Sequence, residues 1–114
     1  MKAYVISFYQ REISEDELVA FLETKREVLN LMRSLPDTVF IVSDRDASFL
    51  TNLIDRKFPH AFFIVAEYYP YNTDGSLPEE LWNFLNEPRK ARKASKLASK
   101  KKRVARGKSA DKRR

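Results

Sequence analysis

The last aromatic residue of this 114-residue chain is Phe84, and from Glu87 onward the sequence turns to Lys, Arg, Ala and Ser. That break limits what can fold. A segment so charged and so poor in bulky apolar residues cannot bury enough surface to offset the entropy of ordering it. The core must therefore come from residues 1–88, and the chain divides into a small domain, 1–88, and a basic tail, 89–114. Eighty-eight residues make one domain that buries roughly 60–65% of its unfolded surface. The break is also electrostatic. Residues 89–114 hold fourteen Lys and Arg against the single acid Asp111, a formal +13, whereas residues 1–88 hold eight bases against fifteen acids, −7; together these give the chain's +6. The domain by itself repels a phosphate backbone, so binding to a polyanion has to begin in the tail.

Within the domain, strand-like and helix-like segments alternate. "AYVISFY" (Ala3–Tyr9), "TVFIV" (Thr38–Val42) and "AFFIVAEYY" (Ala61–Tyr69) are dense in β-branched and aromatic residues and read as strands. Ser14 followed by Glu17 has the spacing of a capping box, and Glu15, Asp16 and Glu17 suit the positive end of a helix. Leu18, Phe21, Leu22, Val28, Leu29 and Met32 recur at helical spacing, which predicts a helix over Glu15–Arg33 that Pro36 stops. Asp44 or Asp46 caps a second helix running to Lys57, with Phe49, Leu50, Leu53 and Ile54 facing the core. Pro78 precedes a short closing helix, "EELWNFL".

The order βαβαβα fits a three-stranded parallel sheet covered by helices. A fourth strand within Asn30–Leu35 ("NLMRSL") turns it into a ferredoxin-like βαββαβ sheet. The expected class is thus a small α/β (α+β) domain of three or four strands, with the ferredoxin-like arrangement favoured over the parallel one.

The stretches "AYVISFYQ", "LPDTVFIVSD" and "LTNLIDRKFPHAFFIVAEY" resemble, in order and spacing, the small ferredoxin-like superfamily of CRISPR adaptation subunits, SinR-like proteins and GhoS-type antitoxin endoribonucleases. The resemblance covers Ala3–Leu85 and leaves out the tail. It implies a homodimer, and several members act on nucleic acid. The metal-dependent nucleases among them end the first strand in Tyr-Asp, the Asp binding metal. Here Gln10 follows Tyr9, and a neutral amide does not replace a carboxylate on Mg²⁺. What the resemblance carries over is fold and dimer, not cleavage.

Other chemistry is sparse. With no Cys and one His, neither a thiolate metal site nor a zinc site nor a catalytic triad can be assembled. Two glycines, Gly75 and Gly107, leave no phosphate-cradling loop. Asp44 and Asp46, which flank Arg45, are the candidate metal ligands, with helix capping as the simpler role for both. In a parallel sheet they would meet Gln10 and the Tyr68–Tyr71 loop at the carboxyl ends of the strands. His60, beside Pro59, reads as a turn or strand-edge residue. Tyr68, Tyr69 and Tyr71 with Phe62 and Phe63 offer either a stacking platform for bases or core and dimer packing. Trp82, with Leu81 and Leu85, is expected to plug the core or cover a sheet edge, and a bare edge invites a second chain.

The tail is expected to be disordered alone and inducibly helical on a polyanion as far as Gly107, since Lys, Arg and Ala favour helix. Its expected phosphate-contacting residues are Arg89, Lys90, Arg92, Lys93, Lys96, Lys100, Lys101, Lys102, Arg103, Arg106, Lys108, Lys112, Arg113 and Arg114. No base-reading element accompanies them, so binding is expected to lack sequence specificity. The expectation is a non-enzymatic accessory protein, without cofactor, that binds nucleic acid or a ribonucleoprotein. The alternatives are a metal-dependent nuclease, or a regulator docking its acidic body on a partner protein. An acidic protein surface is a further partner for the tail. A membrane is not expected, because the tail's apolar stripe is mostly Ala and no apolar run approaches the ~20 residues of a span. The start "MKAYVISFYQ" has no signal-cleavage pattern, which predicts an intracellular protein, cytoplasmic or nucleoid-associated, or nuclear through "KKKR" in a eukaryote.

Overall fold

In the first strand, β1 (Lys2–Phe8), alternate residues point to opposite faces, and both faces are used. Tyr4, Ile6 and Phe8 pack on one side and Ala3 on the other. The computed structural model, which describes residues 1–91, builds two cores around this strand and its neighbour. Five further elements follow β1 in the sheet layer and the helices beneath it: α1 (Glu15–Glu23), β2 (Asn30–Arg33), β3 (Thr38–Ser43), α2 (Ala47–Lys57) and β4 (Phe63–Glu67). A 3₁₀ turn (Pro70–Asn72) and α3 (Glu79–Asn86) complete the order.

The four strands form one antiparallel sheet in the order β2-β3-β1-β4. In each βαβ unit, β1-α1-β2 and β3-α2-β4, a strand of the other unit lies between the two strands. This is the ferredoxin-like arrangement, and the three-stranded parallel alternative is excluded. The parallel reading fails because β2 exists and reverses the direction of the strands that follow it.

The helix expected to reach Arg33 ends at Glu23. Thr24 caps it, its hydroxyl donating to the Phe21 carbonyl at 2.6 Å. A turn then carries Val28 into the core, and Leu29 N–H bonds the Val42 carbonyl at 2.7 Å. Val28, Leu29 and Met32 match helical spacing, but sheet pairing next to β3 secures four backbone partners in register, Asn30↔Val42 to Arg33↔Val39. Tertiary pairing outweighs a weak helical propensity here. The capping box at Ser14 forms as expected, with Glu17 N–H to Ser14 Oγ at 3.1 Å and Ser14 N–H to Glu17 Oε1 at 3.0 Å. Arg33 reaches back from β2 to Glu15 and Asp16, 2.8 Å each, which fastens the strand to the start of α1.

On the α1/α2 side, Tyr4, Ile6, Val39 and Ile41 meet Leu18, Leu22, Leu50 and Ile54, all fully buried. On the opposite side α3 lays Leu81, Phe84 and Leu85 on Ala3, Phe40 and Val42, with Trp82 partly buried beside them. Each large side chain so buried contributes about 1.5–3 kcal/mol. Trp82 thus joins a second core, as expected of it. α3 covers the part of this face around Ala3 of β1 and Phe40 and Val42 of β3. Toward β4 the outer face is open: Ser7 and Ala66 are exposed, as are Phe62 (69%) and Ile64 (63%). No described helix is long and apolar enough to cross a membrane.

Candidate nucleic-acid interface

Two of the fourteen expected phosphate-contacting residues, Arg89 and Lys90, lie among the described residues. The others, from Arg92 to Arg114, and the helix expected of the tail lie outside them. Arg89 and Lys90 are exposed, and the backbone around them is fixed to β2. Asn30 Nδ2 donates to the Arg89 carbonyl at 3.2 Å, and Ala91 N–H donates to the Leu29 carbonyl at 2.8 Å. The described start of the basic segment, Arg89–Ala91, therefore lies at the β2 edge of the sheet, the edge opposite β4. The Arg89 guanidinium already has an anionic partner, Glu87 Oε1 at 2.6 Å. Both groups are well exposed, so this pair is worth under about 1 kcal/mol and yields readily to a phosphate. Between β2 and α3 lies a hollow of about 410 Å³ that Asn30, Met32, Glu80, Phe84 and Glu87 line. Arg89 lines it too, but Glu80 and Glu87 outnumber it, so the net charge of the hollow disfavours phosphate.

The antiparallel sheet separates residues that a parallel one would gather. Lys2 pairs with Ser43 and Ser7 with Thr38, so the end of β1 lies beside the start of β3. Gln10 therefore sits far from Asp44 and Asp46, and its amide donates to Asp37 instead. Asp37 has φ 57°, a left-handed conformation that Asp tolerates at the β2–β3 turn. The convergence expected of Gln10 with Asp44, Asp46 and the tyrosine loop is thus corrected, while Asp44, Asp46 and that loop do share the other end of the sheet.

At that end Asp46 is the α2 cap, its Oδ1 accepting the Phe49 N–H at 2.8 Å. Asp44 is not a cap; it lies 3.1 Å from the Met1 amino group and is largely exposed. Among the described residues no group of three or more His, Asp or Glu is placed to hold a metal. The turn between them is held from below. The Tyr4 hydroxyl, fully buried, donates to the Arg45 carbonyl at 2.5 Å, and Ser43 Oγ accepts the Arg45 N–H at 3.0 Å. Burial first, then the nearby carboxylates Glu67 and Asp46, push the Tyr4 phenol up to about 12. A phenol so held is a structural donor and no base at neutral pH. The Arg45 guanidinium stacks on the Phe49 ring, 3.9 Å from its centroid.

The aromatic group divides by strand parity. Phe63 packs into the α1/α2 core, and Tyr68 is buried on the α3 side with its hydroxyl donating to Asn86 at 2.6 Å. Tyr69 and Tyr71 remain outside with ring centroids 5.6 Å apart, but the Tyr69 hydroxyl donates to Glu67 at 3.1 Å. That hydrogen bond, then the charge of Glu67, raises the Tyr69 phenol above its usual value. A carboxylate beside the pair disfavours an approaching phosphodiester. Phe62 is exposed at the other end of β4, so these rings do not form one platform. His60 is an exposed turn residue between α2 and β4. Arg33 and Tyr4 had no sequence signal as interacting residues. Strand parity exposes Ile64, but only once the neighbours of β4 are known.

No family model, curated protein or solved structure matches the chain, so the functional reading rests on this chain's own residues.

Proposed function

We propose that the chain is a non-enzymatic accessory protein that binds nucleic acid, or a particle containing it, through phosphate contacts from Arg89 to Arg114. One observation carries this reading: a formal +13 in residues 89–114 joined to a −7 domain. Each Lys or Arg that meets a phosphate releases condensed counterion, so a handful of contacts binds tightly at low salt and weakly at high salt. The acidic domain repels the same backbone. It therefore limits non-specific engagement to the basic segment and holds the domain away from the polyanion. Binding discriminates little between sequences, because phosphate contacts position and base contacts specify. The start of the basic segment at the β2 edge, fixed by the Ala91–Leu29 bond, supports its use as a tether.

The test is fluorescence anisotropy with labelled duplex DNA and with single-stranded RNA, comparing the intact chain with one ending at Ala91. The intact chain binds both with similar affinity and the truncated chain binds neither. Equal binding by both proteins at moderate salt overturns the reading.

A further inference from the structure

Half of the eight bases in residues 1–88, namely Lys25, Arg26, Arg56 and Lys57, come from two short stretches at the C-terminal ends of α1 and α2. Three of them, Lys25, Arg56 and Lys57, line a hollow of about 220 Å³ together with Phe21 and Leu53. No carboxylate lines it. In a domain with fifteen acids, this is a local inversion of sign. Arg56 and Lys57 sit in the last turn of α2, where they complement the negative end of its dipole. Lys25 follows Thr24, the cap of α1, and the same role is open to it there. The dipoles account for each cation singly, but not for their meeting in one hollow. Lys25 is also held in place. Its N–H bonds the Leu22 carbonyl at 3.1 Å, and its ammonium lies 4.9 Å from the centre of the Phe21 ring. That ring is packed edge-on against Phe58, with centroids 5.7 Å apart at 84°. Attraction to the ring restricts the ammonium. Among the described residues none of the three cations is paired with a carboxylate, whereas Arg33 and Arg89 both are.

We propose that this hollow binds a dianionic phosphate group, as the 5′ end of a nucleic-acid strand or free phosphate presents it. A terminal phosphate carries about −1.5 to −2 charge and three strong acceptor oxygens, which three converging cations match. Arg56 offers a planar fork to two of those oxygens, and the lysines act as point charges. The apolar walls at Phe21 and Leu53 lower the local dielectric and strengthen each attraction. Size favours an end over a backbone. The hollow is smaller than the roughly 300–1,000 Å³ of sites that enclose drug-sized ligands, so it takes the phosphate group and little more. A long phosphodiester run is disfavoured besides by the −7 of the domain. The site belongs to the domain, so it stands or falls separately from the use of residues 89–114.

The test is residue-resolved: ¹⁵N–¹H spectra of the full-length chain, titrated with inorganic phosphate, with a 5′-phosphorylated dinucleotide, and with the same dinucleotide lacking that phosphate. The phosphorylated dinucleotide shifts the amide signals of Lys25 and of residues 56–58 saturably, and it binds there about tenfold more tightly than its unphosphorylated form. Arg56→Gln and Lys57→Gln alter exposed side chains outside the core, and each weakens that binding by about fivefold. Lys2→Gln removes the same charge from β1 and changes it by less than about twofold. Tighter binding of the phosphorylated dinucleotide than of inorganic phosphate assigns the site to strand ends, and the reverse order assigns it to free phosphate; either supports a dianion site. Equal binding of the two dinucleotides overturns the proposal, as does a response confined to residues 89–114. An Arg56→Gln protein that binds like the intact chain, or a Lys2→Gln protein weakened as much as Lys57→Gln, does the same.

Discussion

Tyr4→Phe removes one oxygen atom from the centre of the sheet and tests how the β3–α2 turn is held. The ring stays, so packing among Ile6, Leu50 and Ile54 is preserved. What goes is the 2.5 Å bond to the Arg45 carbonyl. Loss of a buried hydrogen bond that strands its partner costs about 1–2 kcal/mol, which lowers Tm by roughly 5–15 °C in a domain of this size. The pH profile provides a second reading. An unfolded tyrosine loses its proton near pH 10, whereas Tyr4 in the fold keeps it to about 12. Between those values the unfolded chain binds fewer protons, so stability falls as pH rises, by up to about 1.4 kcal/mol per unit for this one group. Below pH 10 both states hold the proton and the contribution is flat. Urea unfolding of both proteins from pH 7 to pH 11 separates this group from the lysines and other tyrosines. The Phe variant is less stable at pH 7, and the gap narrows above pH 10. Equal stability at pH 7 together with parallel alkaline slopes would refute the assignment.

Other consequences are simpler to measure. Leu81→Ala, fully buried where α3 meets the sheet, costs about 2–5 kcal/mol in chemical denaturation. Ser14→Ala removes the side-chain half of the capping box, leaving the backbone N–H of position 14 to Glu17, and costs about 1 kcal/mol. Asp46→Ala removes the α2 cap at similar cost, whereas Asp46→Asn retains most of it, since Asn caps as well as Asp. Arg33→Met loses two partly exposed ion pairs, at a cost under about 1 kcal/mol that added salt erases.

The sequence showed the elements better than their limits. Ser14, and the pair Asp44 or Asp46, marked two helix starts because a cap is local chemistry, set by one side chain and the N–H groups three residues on; the structure chose Asp46. The end of α1 was not legible, since Val28, Leu29 and Met32 serve a helix stripe or a core turn and an edge strand equally well. The pairing with β3 that decides between them is non-local. The same non-locality moved Gln10 from one end of the sheet to the other: once β2 reverses the chain, β1 and β3 run antiparallel. Phe62 and Phe63, adjacent and alike in sequence, have opposite fates because parity on β4 sends one outward and one into the core. The charge division needed no fold at all, which is why the proposed function draws on composition more than on geometry.

The central claim is that polyanion binding resides in residues 89–114 and is electrostatic. Its most direct test is the salt dependence of duplex binding for the full-length chain and for a chain ending at Ala91. For the full-length chain, log Kobs should fall linearly with log salt, with a slope of about −0.9 per phosphate contacted, and several contacts should be counted. The shortened chain should show no binding at the lowest salt. A shallow slope for the full-length chain, or retained binding by the shortened one, would contradict the account.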